Sequence, residues 1–137
     1  MDSAQALSQL SAARVATLAT VQTDGSPHVV PFVFALEGDT LYSAVDHKPK
    51  RAARLRRIRN IESDPRVSVL AHWYDDDWSQ LWWVRVDGIA NIVETGDIWS
   101  RAIEVLAAKY PQYRGQPPTG AVITIEIRHI AAWSATD

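Results

Sequence analysis

The sequence contains no cysteine among its 137 residues. Disulfide bridges, thiolate metal sites and cysteine nucleophiles are therefore all excluded, and the composition fits a reducing compartment. Long hydrophobic runs are lacking as well, since no segment approaches the roughly 20 apolar residues of a membrane-spanning helix. The stretch from Met1 to Ala13 carries an early acid and too short an apolar run for a signal peptide. We therefore expect a cytoplasmic protein without a membrane partner.

An excess of positive charge is also lacking. Lysine and arginine number 14 and aspartate and glutamate number 16, so a general nucleic-acid surface is not indicated. The four histidines have neither metal-ligand spacing nor cysteine companions, and residues 75–77 lack the glycine of a calcium loop, so we expect no metal site. Serine-hydrolase, Walker and Rossmann glycine motifs are absent, which disfavours those enzyme classes.

Short apolar, β-prone runs separated by turn residues predict six strands. The runs lie at residues 14–22, 28–36, 40–45, 67–72, 81–93 and 121–133. Pro31 cannot donate to a sheet ladder and argues for a strand edge or a bulge, while Gly88 is expected to mark a bulge or bend. Three helices are predicted at the connections, and Pro111 ends the last of them before an irregular, exposed loop at residues 112–120. The pattern predicts one domain, residues 1–137, of mainly β, α+β class: a closed or nearly closed antiparallel barrel with peripheral helices.

Basic residues are concentrated in one segment. Seven of the 14 lysines and arginines lie between positions 48 and 59, shortly after the predicted strand 40–45. Pro49 suits the first turn of a helix, so the pattern predicts a helix from Asp46 to Ile61. On one face of it, a phosphate could be held by first-turn N–H groups together with Lys50, Arg54 and Arg57. The alternative is a solvated basic face that binds nothing.

Several short motifs follow one another along nearly the whole chain. They are, in order, Val15–Thr20, Asp24–Pro27, Val30–Phe32, Asp46–Ile61, Asp64–Ser68, Asp77–Ser79 and Trp82–Gly88. Their order and spacing resemble the pyridoxamine-5′-phosphate-oxidase-like split-barrel proteins. Within that superfamily, the basic helix followed by Asp-Trp and by Trp-Trp-Val-Arg-Val is similar to the actinobacterial flavin/deazaflavin oxidoreductases, the group of coenzyme F-420-dependent enzymes.

This resemblance implies a six-stranded antiparallel split β-barrel of Greek-key topology, the FMN-binding split barrel. It further implies a homodimer with two cofactor sites at the subunit interface. The cofactor's phosphate tail would be held by cations at the strand-to-helix junction, which here are Lys48, Lys50 and Arg51, with Arg54 and Arg57 one and two turns on. The ring system would lie against two strand segments, Val29, Val30 and Pro31 in one and Ser43, Ala44 and Val45 in the other. Trp82 and Trp83 match a segment that borders the pocket or the dimer contact.

The activity implied by the resemblance is hydride transfer between reduced coenzyme F-420, a deazaflavin, and a small unsaturated or quinone-like substrate. No catalytic residue is assigned, since Tyr42, His28 or a water could each supply a proton. One alternative keeps the fold but binds FMN, as an oxidase or a flavin reductase. Another is a non-catalytic protein that binds a cofactor or a tetrapyrrole. A cation row that reaches Arg54 and Arg57 favours the longer anionic tail of the deazaflavin.

Overall fold

The computed structural model describes residues 1–45 and 55–136. The strands are β1 Ala16–Val21, β2 Pro27–Phe32, β3 Ala35–Glu37, β4 Thr40–Ala44, β5 Arg66–Trp73, β6 Trp82–Val93 and β7 Val122–Ser134. The helices are α1 Ser3–Ala12, α2 Arg56–Ser63, α3 Asp97–Lys109 and α4 Pro111–Gly115, with a short 3-10 turn at Trp78–Gln80. None of the helices described is both long and apolar enough to cross a bilayer. The predicted α+β class is confirmed.

All described strands belong to one antiparallel sheet in the order β2-β1-β5-β6-β7-β4-β3. The two end strands, β2 and β3, are separated along the chain by Val33 and Phe34 alone. Because the three steps from Phe32 to Ala35 span at most about 11 Å, the end of β2 and the start of β3 lie close together at this corner. The Ser43 hydroxyl of β4 donates a hydrogen bond of 2.8 Å to the Val33 carbonyl at this corner.

The structure has seven strands in the described residues where the sequence pattern predicts six. The predicted strand 28–36 is divided into β2 and β3 at Val33 and Phe34. At this point the Phe34 N–H donates to the Tyr110 hydroxyl, at 3.1 Å, instead of to a neighbouring strand. A hydrogen bond to a side chain therefore replaces the hydrogen bond to a neighbouring strand at this point. The chain passes here from one end strand of the sheet to the other. Pro31 lies in the end strand β2, as expected for a residue without an N–H donor.

The hydrophobic core lies in two clusters. The larger one joins the inner face of the sheet to α1 and α2, through Leu10, Leu18, Val69, Val84 and Ile125 among others. The smaller one lies under α3 and α4 and contains Ala35, Ala44, Ala102, Leu106, Tyr110, Tyr113 and Val122. Helix α1 begins with a capping box in which the Asp2 carboxylate accepts from the Gln5 N–H and the Gln5 side chain accepts from the Asp2 N–H.

The long β6–β7 pair contains the expected bulge. Asp87 pairs with His129 and Gly88 pairs with Ile127, so Arg128 is the extra residue on β7. A side chain at Gly88 would place its Cβ 2.5 Å from the Glu126 carbonyl oxygen. Glycine is therefore required here by the close approach of the neighbouring backbone.

Two predictions about helices and loops are wrong. Leu55 has φ −59° and ψ 147°, which is not helical, so α2 begins at Arg56 and a single helix through residues 46–61 does not exist at this position. The extended backbone at Leu55 interrupts the predicted helix, and residues 46–54 lie outside the described residues. The loop 112–120, predicted to be exposed and irregular, instead contains α4 and buries Tyr113 and Pro118, because Tyr113 packs edge-on against Tyr110.

Candidate cofactor-binding site

One face of the sheet carries exposed or partly exposed side chains across five strands, and we call it the open face. Its residues alternate with those that point into the core. They are Thr17 and Ala19 of β1, Val29 and Pro31 of β2, Ser68, Leu70 and His72 of β5, Trp83, Arg85 and Asp87 of β6, and His129, Ala131 and Trp133 of β7. Val29 is 59% exposed and Trp133 44% exposed, so large apolar side chains lie in contact with water.

The strand register arranges the open face in rows. One row runs Pro31, Thr17, Leu70, Arg85, Ala131, and the next runs Val29, Ala19, Ser68, Asp87, His129. Five strands span about 19 Å, wide enough for a fused ring system. Within these two rows the β2, β1 and β5 residues are apolar or small, and the charged groups begin on β6. An apolar surface beside fixed charges can orient a flat ligand that has a polar edge.

A groove of about 540 Å³ lies at one end of the open face. Its lining includes Gly25 and Pro27 at the β1–β2 turn, Ala19, Thr20 and Val21 of β1, Arg66, Val67 and Ser68 of β5, Asp87, Gly88 and Ile89 of β6, and Arg128 of β7. This volume is within the range of small-molecule sites. The Ser68 hydroxyl donates to the Asp87 carboxylate at 2.6 Å, and Arg85 Nε lies 3.3 Å from the same carboxylate. The groove therefore holds the Asp87 carboxylate together with the guanidinium groups of Arg66 and Arg128.

One of these guanidinium groups, that of Arg66, is held by an acid outside the groove. It makes two hydrogen bonds to the Asp64 carboxylate, at 3.0 and 2.6 Å. Together with a backbone N–H bond, this pairing lowers the pKa of Asp64 to about 2. The pair stays ionised across the physiological range, and Arg66, whose side chain is 74% exposed, lies at the rim of the groove.

Helix α2 is docked against the β1–β2 hairpin. The Asn60 side chain donates a hydrogen bond of 3.0 Å to the Thr20 hydroxyl, and both residues are 2% exposed. Ile58 and Ile61 are buried in the main core. Hydrogen bonds from Ser26 lower the pKa of Asp24 in the hairpin turn, and the charge of Arg56 lowers it further. The first turn of α2 therefore brings positive charge to the turn end of this hairpin.

The structure separates the predicted ring-contacting residues into two groups. Val29 and Pro31 of β2 and Trp83 of β6 lie on the open face, where a ring could reach them. Val30 and Trp82 point to the other side of the sheet and pack against the main core. Alternation along a strand decides this division, because neighbouring residues face opposite ways.

The second predicted ring-contacting segment is largely internal. Ser43 and Ala44 are buried and Val45 is partly buried. The Val45 N–H donates to the Ala121 carbonyl at 2.9 Å, and its carbonyl accepts from the Gly120 N–H at 3.1 Å. The side chains of this segment therefore support the fold, and its role beside a ring stays a prediction.

The predicted phosphate-binding cations are only partly described. Arg57 is partly buried in the first turn of α2. Lys48, Lys50, Arg51 and Arg54 lie outside the described residues, so their role stays a prediction. Among residues 1–45 and 55–136, no three histidine, aspartate or glutamate side chains come together as a metal site.

Neither side chain considered as a proton donor lies on the open face. Tyr42 of β4 packs against the smaller core cluster, and burial raises the pKa of its phenol. His28 of β2 pairs across the strands with Thr20 and faces the core side, where its Nδ1 atom is buried and makes no hydrogen bond to any described residue.

The sequence reasoning missed the groove residues Ser68, Asp87, Arg66 and Arg128. The alternation in β5 and β6 indicates that Ser68 and Asp87 lie opposite the core-facing residues, and this signal could have been used. Their pairing depends on the cross-strand register, and the position of Arg128 depends on the bulge. Neither can be read from a single strand.

Comparisons with known proteins agree on the fold. A family model described as pyridoxamine 5′-phosphate oxidase matches residues 3–134. A conserved hypothetical protein of Mycobacterium tuberculosis has a similar structure, with a TM-score of 0.80 and 24% identity over 98% of this chain and 86% of that chain. A FAD-binding protein of Mesorhizobium loti gives a TM-score of 0.70 and 22% identity, covering 96% of this chain and 94% of that chain.

A third similar structure is HutZ, the heme storage protein of Vibrio cholerae, with a TM-score of 0.73 and 20% identity over 98% of this chain and 95% of that chain. At these identities the similarity shows the fold alone. No curated protein matches the chain. Since the family model spans nearly all of the sequence, the resemblance at the superfamily level is confirmed, and the chain belongs to the pyridoxamine 5′-phosphate oxidase family.

Proposed function

We propose that this chain is a coenzyme F-420-dependent oxidoreductase that works as a homodimer. The reaction is hydride transfer between the reduced deazaflavin and a small unsaturated or quinone-like substrate. The observation that carries the proposal is the open face, where apolar side chains are exposed across five strands next to a helix that begins with arginines. A cytoplasmic location and a single domain stay predictions from the sequence.

The exposed apolar side chains of the open face support the proposed homodimer. Val29 is 59%, Leu70 37% and Trp133 44% exposed, and Trp83 pairs with Trp133 across the strands. Removing such side chains from water is favourable by about 25 cal/mol per Å² of apolar area. A second copy of the chain, related by a two-fold axis, would cover this face and enclose the groove at its end. Enclosure matters because hydride transfer benefits from the exclusion of water.

The residues present fit a flavin-type cofactor. Val29 and Pro31 provide a flat apolar surface for one side of a ring, and Trp83 of the second copy would border it. Arg56 and Arg57 lie in a first turn that has no side-chain cap and no acidic residue, which suits an anionic tail. The predicted cations Lys48, Lys50, Arg51 and Arg54 would extend this positive region. When bound, the cofactor supplies the hydride-carrying ring, and the protein binds it, orients it and excludes water from the site.

Water is the proton source that fits this arrangement. Tyr42 and His28 both lie on the core side of the sheet, away from the surface proposed for the ring. No side chain is therefore assigned to proton transfer.

Two alternative ligands each have an observation in their favour. FMN, in an oxidase or flavin reductase, is favoured by the structural similarity to a FAD-binding protein. A tetrapyrrole is favoured by the similarity to a heme storage protein and by two histidines on the open face, His72 and His129. Both imidazoles are exposed, and either one alone could bind a metal at the centre of a flat ligand.

The proposal is tested by titrating the apo-protein with F-420, FMN and heme in parallel at two salt concentrations. We expect tight binding of F-420 that weakens with salt, because the tail contacts are ionic. Reduced F-420 should then be oxidised in the presence of quinone or enone acceptors. Preference for FMN, or heme binding that is lost in His72→Ala or His129→Ala, would replace the proposal with the corresponding alternative.

A matched pair of variants tests whether Arg57 contacts the anionic tail of the cofactor, or whether the loss of any positive charge weakens binding. Arg57→Gln removes one positive charge at the start of α2, and Arg114→Gln removes one from α4. We expect the first to weaken F-420 binding about tenfold and the second to leave it unchanged. Equal effects of the two variants would contradict the role given to α2.

A further inference from the structure

The groove at the end of the open face continues the surface proposed for the cofactor ring. Val29, which the ring would contact, pairs across the strands with Ala19, and Ala19 pairs with Ser68. Ala19 and Ser68 both line the groove, whose volume is about 540 Å³. Neighbouring strands are about 5 Å apart, so the groove begins next to the ring surface. A small molecule in the groove would therefore lie beside the bound ring.

Two arginines line this groove from different strands. Arg66 is the first residue of β5, and Arg128 is the extra residue of the bulge in β7. A bulge changes the direction of a side chain, and bulges are over-represented next to active sites. Gly88 permits this one, because a Cβ at that position would collide with the neighbouring backbone. The bulge therefore brings a second guanidinium group to the groove.

Both guanidinium groups keep N–H donors that no described residue uses. Arg66 donates to Asp64 through Nε and Nη2, and its Nη1 makes no hydrogen bond within residues 1–45 and 55–136. Arg128 Nε lies 3.5 Å from the Glu126 carboxylate, and in the same part of the chain its two terminal amino groups have no hydrogen-bond partner. A pair of terminal amino groups matches the two oxygens of a carboxylate.

The carboxylate in the groove lining, that of Asp87, is already compensated by protein groups. Its Oδ1 accepts from the Ser68 hydroxyl at 2.6 Å. Arg85 also contacts it, with Nε 3.3 Å from Oδ1 and Nη2 3.4 Å from Oδ2. A ligand carboxylate in the groove would therefore meet the open donors of Arg66 and Arg128 without an unpaired acid beside them.

We propose that this groove binds a carboxylate of the acceptor substrate, so that the substrate class is a small unsaturated or quinone-like carboxylic acid. Arg128 binds the carboxylate through its terminal amino groups, and Arg66 adds a hydrogen bond from Nη1. The apolar lining residues Val21, Pro27 and Ile89 contact the carbon skeleton. The acceptor gains a hydride with its two electrons and a proton from water, and the reduced deazaflavin is oxidised by the same two electrons. The identity of the ligand as a hydride acceptor rests on the proposed function, whereas carboxylate binding depends on the groove alone.

The first part of the test measures binding without any cofactor, by isothermal titration calorimetry. The probes are 2-naphthoate and 2-naphthamide, which share a flat ring system and differ in the charge of one substituent. We expect the wild-type protein to bind 2-naphthoate about tenfold more tightly, because only this probe forms a charged pair with arginine. Arg128→Gln should abolish the preference. Arg101→Gln should preserve it, since this variant loses the same charge from another exposed arginine that is paired with a glutamate.

The second part measures turnover with reduced F-420. The acceptors are 1,4-naphthoquinone-2-carboxylate and the corresponding carboxamide. We expect the carboxylate to have a KM about tenfold lower at similar kcat, and Arg128→Gln should raise that KM to the value of the carboxamide.

The outcomes separate this inference from the proposed function. Equal binding of the two naphthalene probes by the wild type, or an unchanged preference in Arg128→Gln, would overturn carboxylate binding in the groove. Oxidation of F-420 with equal KM for both quinones would overturn the substrate class and support the proposed function. Failure of both quinones to oxidise F-420 would count against the proposed function, while selective 2-naphthoate binding that is lost in Arg128→Gln would still support the groove as a carboxylate site.

Discussion

Gly88→Ala provides a sharp test of the bulge that shapes the groove. Gly88 lies in β6 at the register shift and pairs with Ile127. A Cβ added there would lie 2.5 Å from the Glu126 carbonyl oxygen and 2.9 Å from Cγ2 of Ile125. The first of these atoms belongs to the backbone of a hydrogen-bonded neighbouring strand, so it cannot rotate away as a side chain could. Strands β6 and β7 must separate locally instead.

The expected cost follows from that separation. Overpacking in a well-packed region costs about 1–3 kcal/mol, and each ladder hydrogen bond lost adds about 1 kcal/mol. We therefore expect Gly88→Ala to reduce the free energy of unfolding by about 3 kcal/mol. For a chain of this size that corresponds to a melting temperature about 10 °C lower.

The assay is urea unfolding followed by tryptophan fluorescence, at one fixed protomer concentration because a dimer would make stability concentration-dependent. Gly115→Ala is the matched control: it makes the same chemical change in α4, where a new Cβ meets no heavy atom within 4 Å. It should leave the protein equally stable or increase stability by about 0.5–1 kcal/mol. If Gly88→Ala unfolds at the same urea concentration as the wild type, the close approach of β6 and β7 at this residue is refuted.

Three further predictions address the core, a buried amine and the open face. Tyr110→Phe leaves the buried Phe34 N–H without its acceptor and should lower the free energy of unfolding by about 1–3 kcal/mol in urea melts. Wild-type stability of this variant would contradict the role of the Tyr110 hydroxyl as that acceptor. Burial lowers the pKa of Lys109 to about 8 in the folded chain, below the ordinary lysine value of 10.5, so the unfolded chain binds more protons between pH 8 and 10.5. The free energy of unfolding of the wild type should therefore rise relative to that of Lys109→Met over this pH range. A constant difference between the two proteins would exclude the pKa shift. Leu70→Asp on the open face should convert the proposed dimer to a monomer in sedimentation velocity. Ile98→Asp, at an exposed position on α3, should leave the dimer intact. A dimeric Leu70→Asp chain would argue against this interface.

Features set by neighbouring residues were predicted well. In β6 the sequence alternation places Trp82, Val84 and Val86 on one face and Trp83, Arg85 and Asp87 on the other, as the structure shows. Gly88 was correctly expected at a bulge or bend, and the cap of α1 is supplied by Asp2, the residue directly before the helix. Strand alternation and helix caps depend on residues close together in sequence, so a single sequence contains the information they need.

Features set by distant contacts were not predicted. The division of one expected strand into β2 and β3 depends on Tyr110, which lies 76 residues from Phe34 along the chain. The burial of Tyr113 depends on its edge-on contact with Tyr110 and on the packing of α4 against α3. The start of α2 at Arg56 follows from the extended backbone at Leu55, a boundary that residue spacing alone does not locate.

For the candidate site, the amino-acid sequence was enough to establish the family resemblance, the antiparallel α+β class and the concentration of positive charge at residues 48–59. Which residues share a surface became known from the folded chain. The fold places Val29 and Pro31 with Trp83 on the open face, and it turns Val30 and Trp82 toward the core. The reason is that a strand's own alternation defines two faces, while the register between strands and the packing of helices decide which face remains in contact with water.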